Sequence, residues 1–178
     1  MVFPAYKQHE RSCRDAPKIS KHGGVVYIPG GLGRRHPDTS RITRQVMDKL
    51  HELDPHGSMH YIADVSRVMG RYNGHERREK GTARSDAVYN EVCSHRDFVD
   101  LRNYIFRRAS SKKIVMVNCK GGNHRAVTFI RSLAEIAQYD NTHNTVQIDL
   151  ATAYMENIHY LLGALIPAVL DSSLADRR

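Results

Sequence analysis

Cysteine is scarce in this chain: Cys13, Cys93 and Cys119 are an odd number at wide spacings, and no two form a C-x-x-C pair. Nothing therefore suggests a zinc site or a thioredoxin-like redox motif, and reduced thiols in an intracellular compartment are the simpler reading. Long apolar runs are missing too. The longest, NIHYLLGALIPAVL near the end, is too short to cross a bilayer and contains His159 and Pro167, so it reads as a helix packed on the core, with no membrane partner. The first 24 residues, MVFPAYKQHERSCRDAPKISKHGG, lack the apolar h-region of a secretory signal, and Glu10 and Asp15 argue against a transit peptide. An intracellular, cytoplasmic protein is expected, with an organelle left open. Aromatic residues make up 7%, mostly tyrosine, with no RNP-like motif, so sequence-specific reading of bases has no support. There is no internal repeat or low-complexity tract, and no residue cluster calls for a cofactor or metal.

Positive charge is what the chain has in surplus. Lys and Arg number 27 against 19 acidic residues, a net charge of +8, which favours an anionic partner, either nucleic acid or a phosphorylated ligand. The length of 178 residues with 40% apolar content fits one domain with a proper core.

Residues 1–24 read as a basic peripheral arm, 25–170 as one α/β domain and 171–178 as a polar tail. VVYI (25–28) ends on PGGLG and reads as a buried strand entering a turn. After Pro37, the DTS stretch offers N-cap side chains to a helix whose Ile42, Val46, Leu50 and Leu53 share one face, and Pro55 and Gly57 end it. MHYIADV (59–65) is a second strand. SRVMGRYNGHERREKGTARS (66–85) has no sustained period and reads as a long basic loop, a length uncommon unless functional or disordered. From Asp86 the pattern is helical, first through Val88 and Val92, then through Phe98, Leu101 and Ile105. IVMVN (114–118) is the clearest strand, and His124 to Gln138 the clearest helix, with Val127, Ile130, Ala134 and Ala137 on one face. VQIDL (146–150) is a fourth strand, followed by a C-terminal helix. This alternation predicts a mostly parallel sheet flanked by helices, a Rossmann-like α/β fold.

NCKGGNHRAVTF (118–129) carries the chemistry. A buried strand that enters a helix through a glycine turn sets backbone N–H groups around a concavity, with the positive end of the helix dipole pointing in. Gly121 and Gly122 allow close backbone approach or positive φ, Asn123 lies within the turn, His124 adds a donor, and Arg125 can grip phosphate oxygens through two parallel hydrogen bonds. Ligands of open α/β sheets sit at the carboxyl ends of strands, where this turn and Asp64 both lie. PGGLG, with Arg34 and Arg35, stands as a second arm of the pocket.

The spacing C-x-x-G-x-x-R, as Cys119, Gly122 and Arg125, resembles the cysteine-dependent phosphatases. That resemblance implies Cys119 as a thiolate nucleophile and Arg125 cradling the phosphoryl group; it also requires a general acid, for which Asp86 is a candidate that nothing in its context singles out. The phosphatase pattern has His before the Cys and Ser or Thr after the Arg, where this chain has Asn118 and Ala126. The longer pattern C-x-G-G-x-H-R-[AS]-V, from Cys119 to Val127, resembles the C-terminal domain of the RapZ RNase adapter family. The likeness extends to GTARSDAVYNEVCSHRDFVDL, to Asp64 and Asn73 in ADVSRVMGRYN and to VVYIPGGLGRR, covering about residues 25–150. It implies an α/β domain similar to a phosphofructokinase subdomain that binds a phosphosugar and RNA and is not itself a catalyst. The pocket it implies consists of Cys119, Gly121, Gly122, Asn123, His124, Arg125, Asp64, Thr82 and Asp86. The chain departs from the family at Ser66, which stands at the arginine position of a D-x-R motif, and it has no G-x-x-x-x-G-K-[ST] anywhere for the family's kinase-like domain.

A third reading is a ribonucleoprotein assembly component, in which Arg34, Arg35, Arg71, Arg77, Arg78 and Lys80 track RNA phosphates; charge runs also occur as plain solvated faces. The bland alternatives are a packed Cys119, a salt-bridged Arg125, an exposed His124 and a glycine cluster that is only a turn. The residues are expected to form a non-catalytic phosphate-binding domain, compatible with a homo-oligomer.

Overall fold

The computed structural model describes residues 25–35, 37–66, 86–139, 145–147 and 158–175. Its centre is a four-stranded sheet of β1 (Val25–Gly31), β2 (His60–Asp64), β3 (Ile114–Cys119) and β4 (Thr145–Gln147), in the order β2-β3-β1-β4 and parallel throughout. Every residue of β1 and β3 is buried. That is why these two segments read as continuous apolar runs and not as alternating ones, since helices cover both faces of a parallel sheet. The arrangement is a Rossmann-like α/β fold, as the alternation of strand and helix patterns predicts.

The connections decide which face each helix covers. From β1 the chain runs through α1 (Pro37–Leu53) past β3 to β2. It then moves in the opposite direction through α2 (Asp86–Cys93) and α3 (Phe98–Ala109) to β3, and through α4 (Arg125–Tyr139) to β4. Right-handed crossovers in opposite directions place helices on opposite faces, and the core divides accordingly. On one face Val25, Tyr27, Val115 and Val117 pack against Val88, Val92, Phe98, Ile105 and the apolar side of α4. On the other, Val26, Ile28, Ile114 and Met116 pack against Ile42, Val46 and Leu50 of α1 and against the C-terminal helices. Fully burying each large side chain contributes about 1.5–3 kcal/mol, so both faces hold the sheet strongly. Cys119 belongs to the α4 face and the preceding Asn118 points to the α1 face.

Element ends differ from the sequence pattern in informative ways. Helix α1 begins at Pro37 itself and not after it. Proline's fixed φ suits the first helical position, where its missing N–H costs nothing. Leu53, expected on the buried stripe, is 36% exposed at the helix end. β1 runs three residues further than VVYI, through the first two glycines of PGGLG. β4 starts at Thr145, one residue before VQIDL, and residues 148–150 lie outside the described residues. The C-terminal helix has three parts: α5 (Ile158–Tyr160), a π turn (Leu161–Leu165) and α6 (Ile166–Ala175), which runs into the stretch read as a polar tail. The Ile166 N–H reaches back to the Leu161 carbonyl just before Pro167, which has no N–H to continue the ladder. The 1–24 arm and the 67–85 part of the basic loop also lie outside the described residues.

Between α1 and β2 the chain turns around Asp54. Its buried carboxylate accepts hydrogen bonds from the Ser58 N–H (3.0 Å) and hydroxyl (2.8 Å), the Met59 N–H (2.7 Å) and the His60 N–H (3.0 Å), and meets His60 Nδ1 at 2.9 Å. Burial alone would raise this carboxyl's pKa, but the donors converging on it, Met59 N–H foremost, hold it well below the usual carboxylate range. Burial also pushes the His60 pKa down, outweighing the neighbouring carboxylate. Lys112 Nζ closes the turn on the Gly57 and Ser58 carbonyls, at 2.6 and 3.0 Å.

Candidate anion-binding site

The opposite end of the sheet, at the carboxyl ends of its strands, is built mostly from backbone. β1 and β3 are neighbours there, with Gly30 beside Asn118 and Gly31 beside Cys119. The ladder continues past both strand ends, because Leu32 N–H donates to the Cys119 carbonyl (2.9 Å) and Gly33 N–H to the Lys120 carbonyl (2.7 Å). The two glycine turns therefore lie directly on one another. A Cβ on Gly31 would stand 2.8 Å from the Gly121 carbonyl carbon and 2.9 Å from the Gly122 nitrogen, and one on Gly33 would stand 2.5 Å from the Lys120 oxygen. Close approach here joins loop to loop, which accounts for PGGLG by packing. Gly122 is the turn residue that needs positive φ, at 78°. Helices α1 and α4 leave these adjacent strands toward opposite faces, so their N-termini both start at this end. That is the switch point where doubly wound sheets hold ligands.

Inside the turn, the Gly122 N–H donates to Cys119 Sγ at 3.2 Å, and Cys119 is 3% exposed within the core cluster of the α4 face. Arg125, the first residue of α4, is likewise buried. Its Nη1 donates to the Ser66 carbonyl at 2.9 Å, which ties the turn to the end of β2. There Val65 N–H donates to the Asn118 carbonyl (2.8 Å), and Asp64 accepts from Ser66 N–H through Oδ1 (2.8 Å). Asp64 is exposed at the carboxyl end of its strand. Gly121, Asn123 and His124 are half-buried, and the His124 carbonyl accepts the first α4 bond, from Thr128 N–H (2.9 Å). Arg34, Arg35 and Lys120 are exposed. The Gly33–Lys120 hydrogen bond sets Arg34 and Arg35 near Lys120, giving this end a basic rim.

The structure thus brings Cys119, Gly121, Gly122, Asn123, His124, Arg125 and Asp64 to one end of the sheet, with Arg34 and Arg35 at its rim. Asp86 begins α2 and is held elsewhere: its carboxylate accepts from Arg131 Nη2 at 2.9 Å, more than a turn along α4 from Arg125. Arg131 also bonds Glu135 and lies 3.9 Å over the Tyr89 ring, whose hydroxyl donates to Glu135 at 2.6 Å. Thr82, Arg71, Asn73, Arg77, Arg78 and Lys80 lie outside the described residues.

Three contributors acquire their roles only through the fold. Thr43, buried in α1, accepts the Gly31 N–H at 3.0 Å and fixes the first glycine turn from across the sheet face. Ser66 supplies only a backbone carbonyl, which no side-chain motif can announce. Asn118 fills the space that a side chain on Gly30 would need, with Oδ1 only 2.0 Å from that Cβ position. Its Nδ2 donates to Met47 Sδ at 3.5 Å. Lys120, exposed inside the Cys119–Arg125 turn, adds a positive charge that its sequence position alone makes visible.

No helix among the described residues is long and apolar enough to cross a membrane. No group of three or more His, Cys, Asp or Glu among them could hold a metal ion. No protein-family model matches the chain, and no curated protein or solved structure matches it.

Proposed function

We propose that the chain binds a phosphorylated small molecule at the Cys119–Arg125 turn and does not attack it. The observation that carries this reading is the convergence of a positive-φ glycine turn, the first turn of α4 and the Arg125 guanidinium at the carboxyl end of β3. First-turn N–H groups have no partner within their own helix and, with the helix dipole, favour an anion. The rim of Arg34, Arg35 and Lys120 raises the local concentration of anionic ligands.

Two features favour holding over hydrolysis. Cys119 Sγ is buried on the apolar α4 face and engaged by the Gly122 N–H, where a nucleophile needs to face the ligand. Asp86, the acid that the phosphatase reading needs, is paired with Arg131. The longer resemblance to the RapZ C-terminal domain points the same way and suggests a sugar phosphate, with RNA phosphate as a larger ligand of the same chemistry. Calorimetric titration with inorganic phosphate and a panel of sugar phosphates tests the reading. Arg125→Ala should weaken binding by about ten- to a hundredfold, the value of a lost charge-assisted hydrogen bond. Cys119→Ser should leave phosphate affinity nearly unchanged, and the wild type should not turn over an aryl phosphate. Unchanged affinity in Arg125→Ala would sink the proposal, and turnover abolished by Cys119→Ser would replace it with the phosphatase.

A further inference from the structure

The sheet has an open edge whose chemistry differs from that of the glycine turns. Among the described residues, β2 is its outer strand, paired on one side only, with β3. The Met59 carbonyl accepts from Lys113 and Ile114, and Val65 N–H donates to Asn118, so the odd-numbered positions of this segment face β3. Alternation in a parallel strand then turns the backbone groups of His60, Ile62 and Asp64 outward. His60 N–H is already covered by Asp54. The N–H and carbonyl of Ile62 have no partner among the described residues, and an edge of this kind is a template for another strand. Helix α3 packs against the same strand, and Tyr104 and Arg108 lie close enough to Tyr61 to influence its hydroxyl. Tyr104 is 49% exposed, and Arg107 and Arg108 are exposed beside it. On the other side of the strand, Ile62 and Met59 are half-buried and apolar.

We propose that the β2 edge docks an extended segment of a partner protein in which acidic and apolar side chains alternate. Backbone hydrogen bonds to Ile62 supply the pairing, and pockets for alternate side chains supply the choice, as in other strand-addition complexes. Acidic side chains on the α3 side meet Arg108 and the Tyr104 ring edge, and apolar ones on the other side extend the Met59–Ile62 surface. Charge selects this occupant. The 67–85 stretch of this chain is itself rich in arginine and carries a net positive charge, which Arg107 and Arg108 disfavour; a second copy is distinguished by the oligomeric state.

Panning a randomised linear-peptide library against the folded chain tests this. The expected consensus alternates acidic and apolar residues over about five positions, the length of β2. Ile62→Pro removes the outward N–H while leaving the β3 ladder intact, and should weaken the selected peptides by about tenfold or more. Arg108→Glu combined with Tyr104→Ser should do the same without touching the backbone, and decides the matter if the proline variant does not fold. Random or basic consensus peptides, or selected peptides indifferent to both changes, would overturn the proposal. So would dimerisation of the wild type that Ile62→Pro abolishes, which would assign the edge to a second copy.

Discussion

The two ends of the sheet spend their polar groups differently. At the amino-terminal end, one buried carboxylate, Asp54, collects bonds from Ser58, Met59 and His60 and leaves nothing to offer a ligand. At the carboxyl end, two glycine turns lock backbone on backbone, and helices begin on both faces with an arginine at the start of one. A cluster whose donors and acceptors answer one another fixes the chain. One that aims N–H groups and positive charge at a strand end is suited to binding. Buried titratable groups therefore mark function only when their partners do not already account for them.

The sharpest way to break the contrast is to empty the saturated end. Asp54→Ala leaves buried donors from Ser58, Met59 and His60 without an acceptor, and should cost about 3–5 kcal/mol of unfolding free energy in a urea titration. The folded fraction should bind phosphate as the wild type does, because the cluster and the turn lie at opposite ends of the sheet. Loss of phosphate affinity in that folded fraction would mean the ends are coupled and the division is false.

The next largest effect comes from the glycine lock. Gly31→Ala drives a Cβ into the backbone of Gly121 and Gly122, which cannot rotate away as a side chain could. It should destabilise the chain by about 1–3 kcal/mol. It should also lower phosphate affinity by moving the turn. A fold that melts earlier but binds phosphate normally would show that the turn geometry does not make the site.

Much of this was legible in the sequence, for identifiable reasons. β1 and β3 stood out because strands buried on both faces must be apolar at every position, and α4 because its stripe of Val127, Ile130, Ala134 and Ala137 has the helical period. The turn from Cys119 to Arg125 was readable because glycine, arginine and strand-to-helix order lie within one short stretch. Long-range pairing was not. Asp54 and His60 sit in a stretch, HELDPHGSMH, that reads as a helix end, a turn and the start of a strand, and nothing in it shows a carboxylate folding inward. Asp86 reads as a site acid until Arg131, 45 residues away, is seen to hold it. The exclusion of a Gly30 side chain by Asn118, and the Thr43 contact with Gly31, need the strands to be neighbours before they mean anything.

The smallest effect is on pH dependence, and it separates the two members of the saturated cluster. The folded His60 pKa lies below its ordinary 6.5, so the unfolded chain takes up the proton first and stability falls as pH drops below about 6.5 toward the lowered folded value. The folded Asp54 pKa is also lowered, from an ordinary 3.8, so its contribution is fully present above that value and is lost on further acidification. Thermal midpoints measured from pH 8 to about pH 2 should therefore decline in two stages. His60→Gln should flatten the upper stage and keep the lower one, since the Asp54 bonds to Ser58 and Met59 do not depend on the imidazole. An upper stage that survives His60→Gln would place the titrating group elsewhere. Were phosphate affinity to fall through the same upper stage, the amino-terminal clamp would be governing the binding end after all.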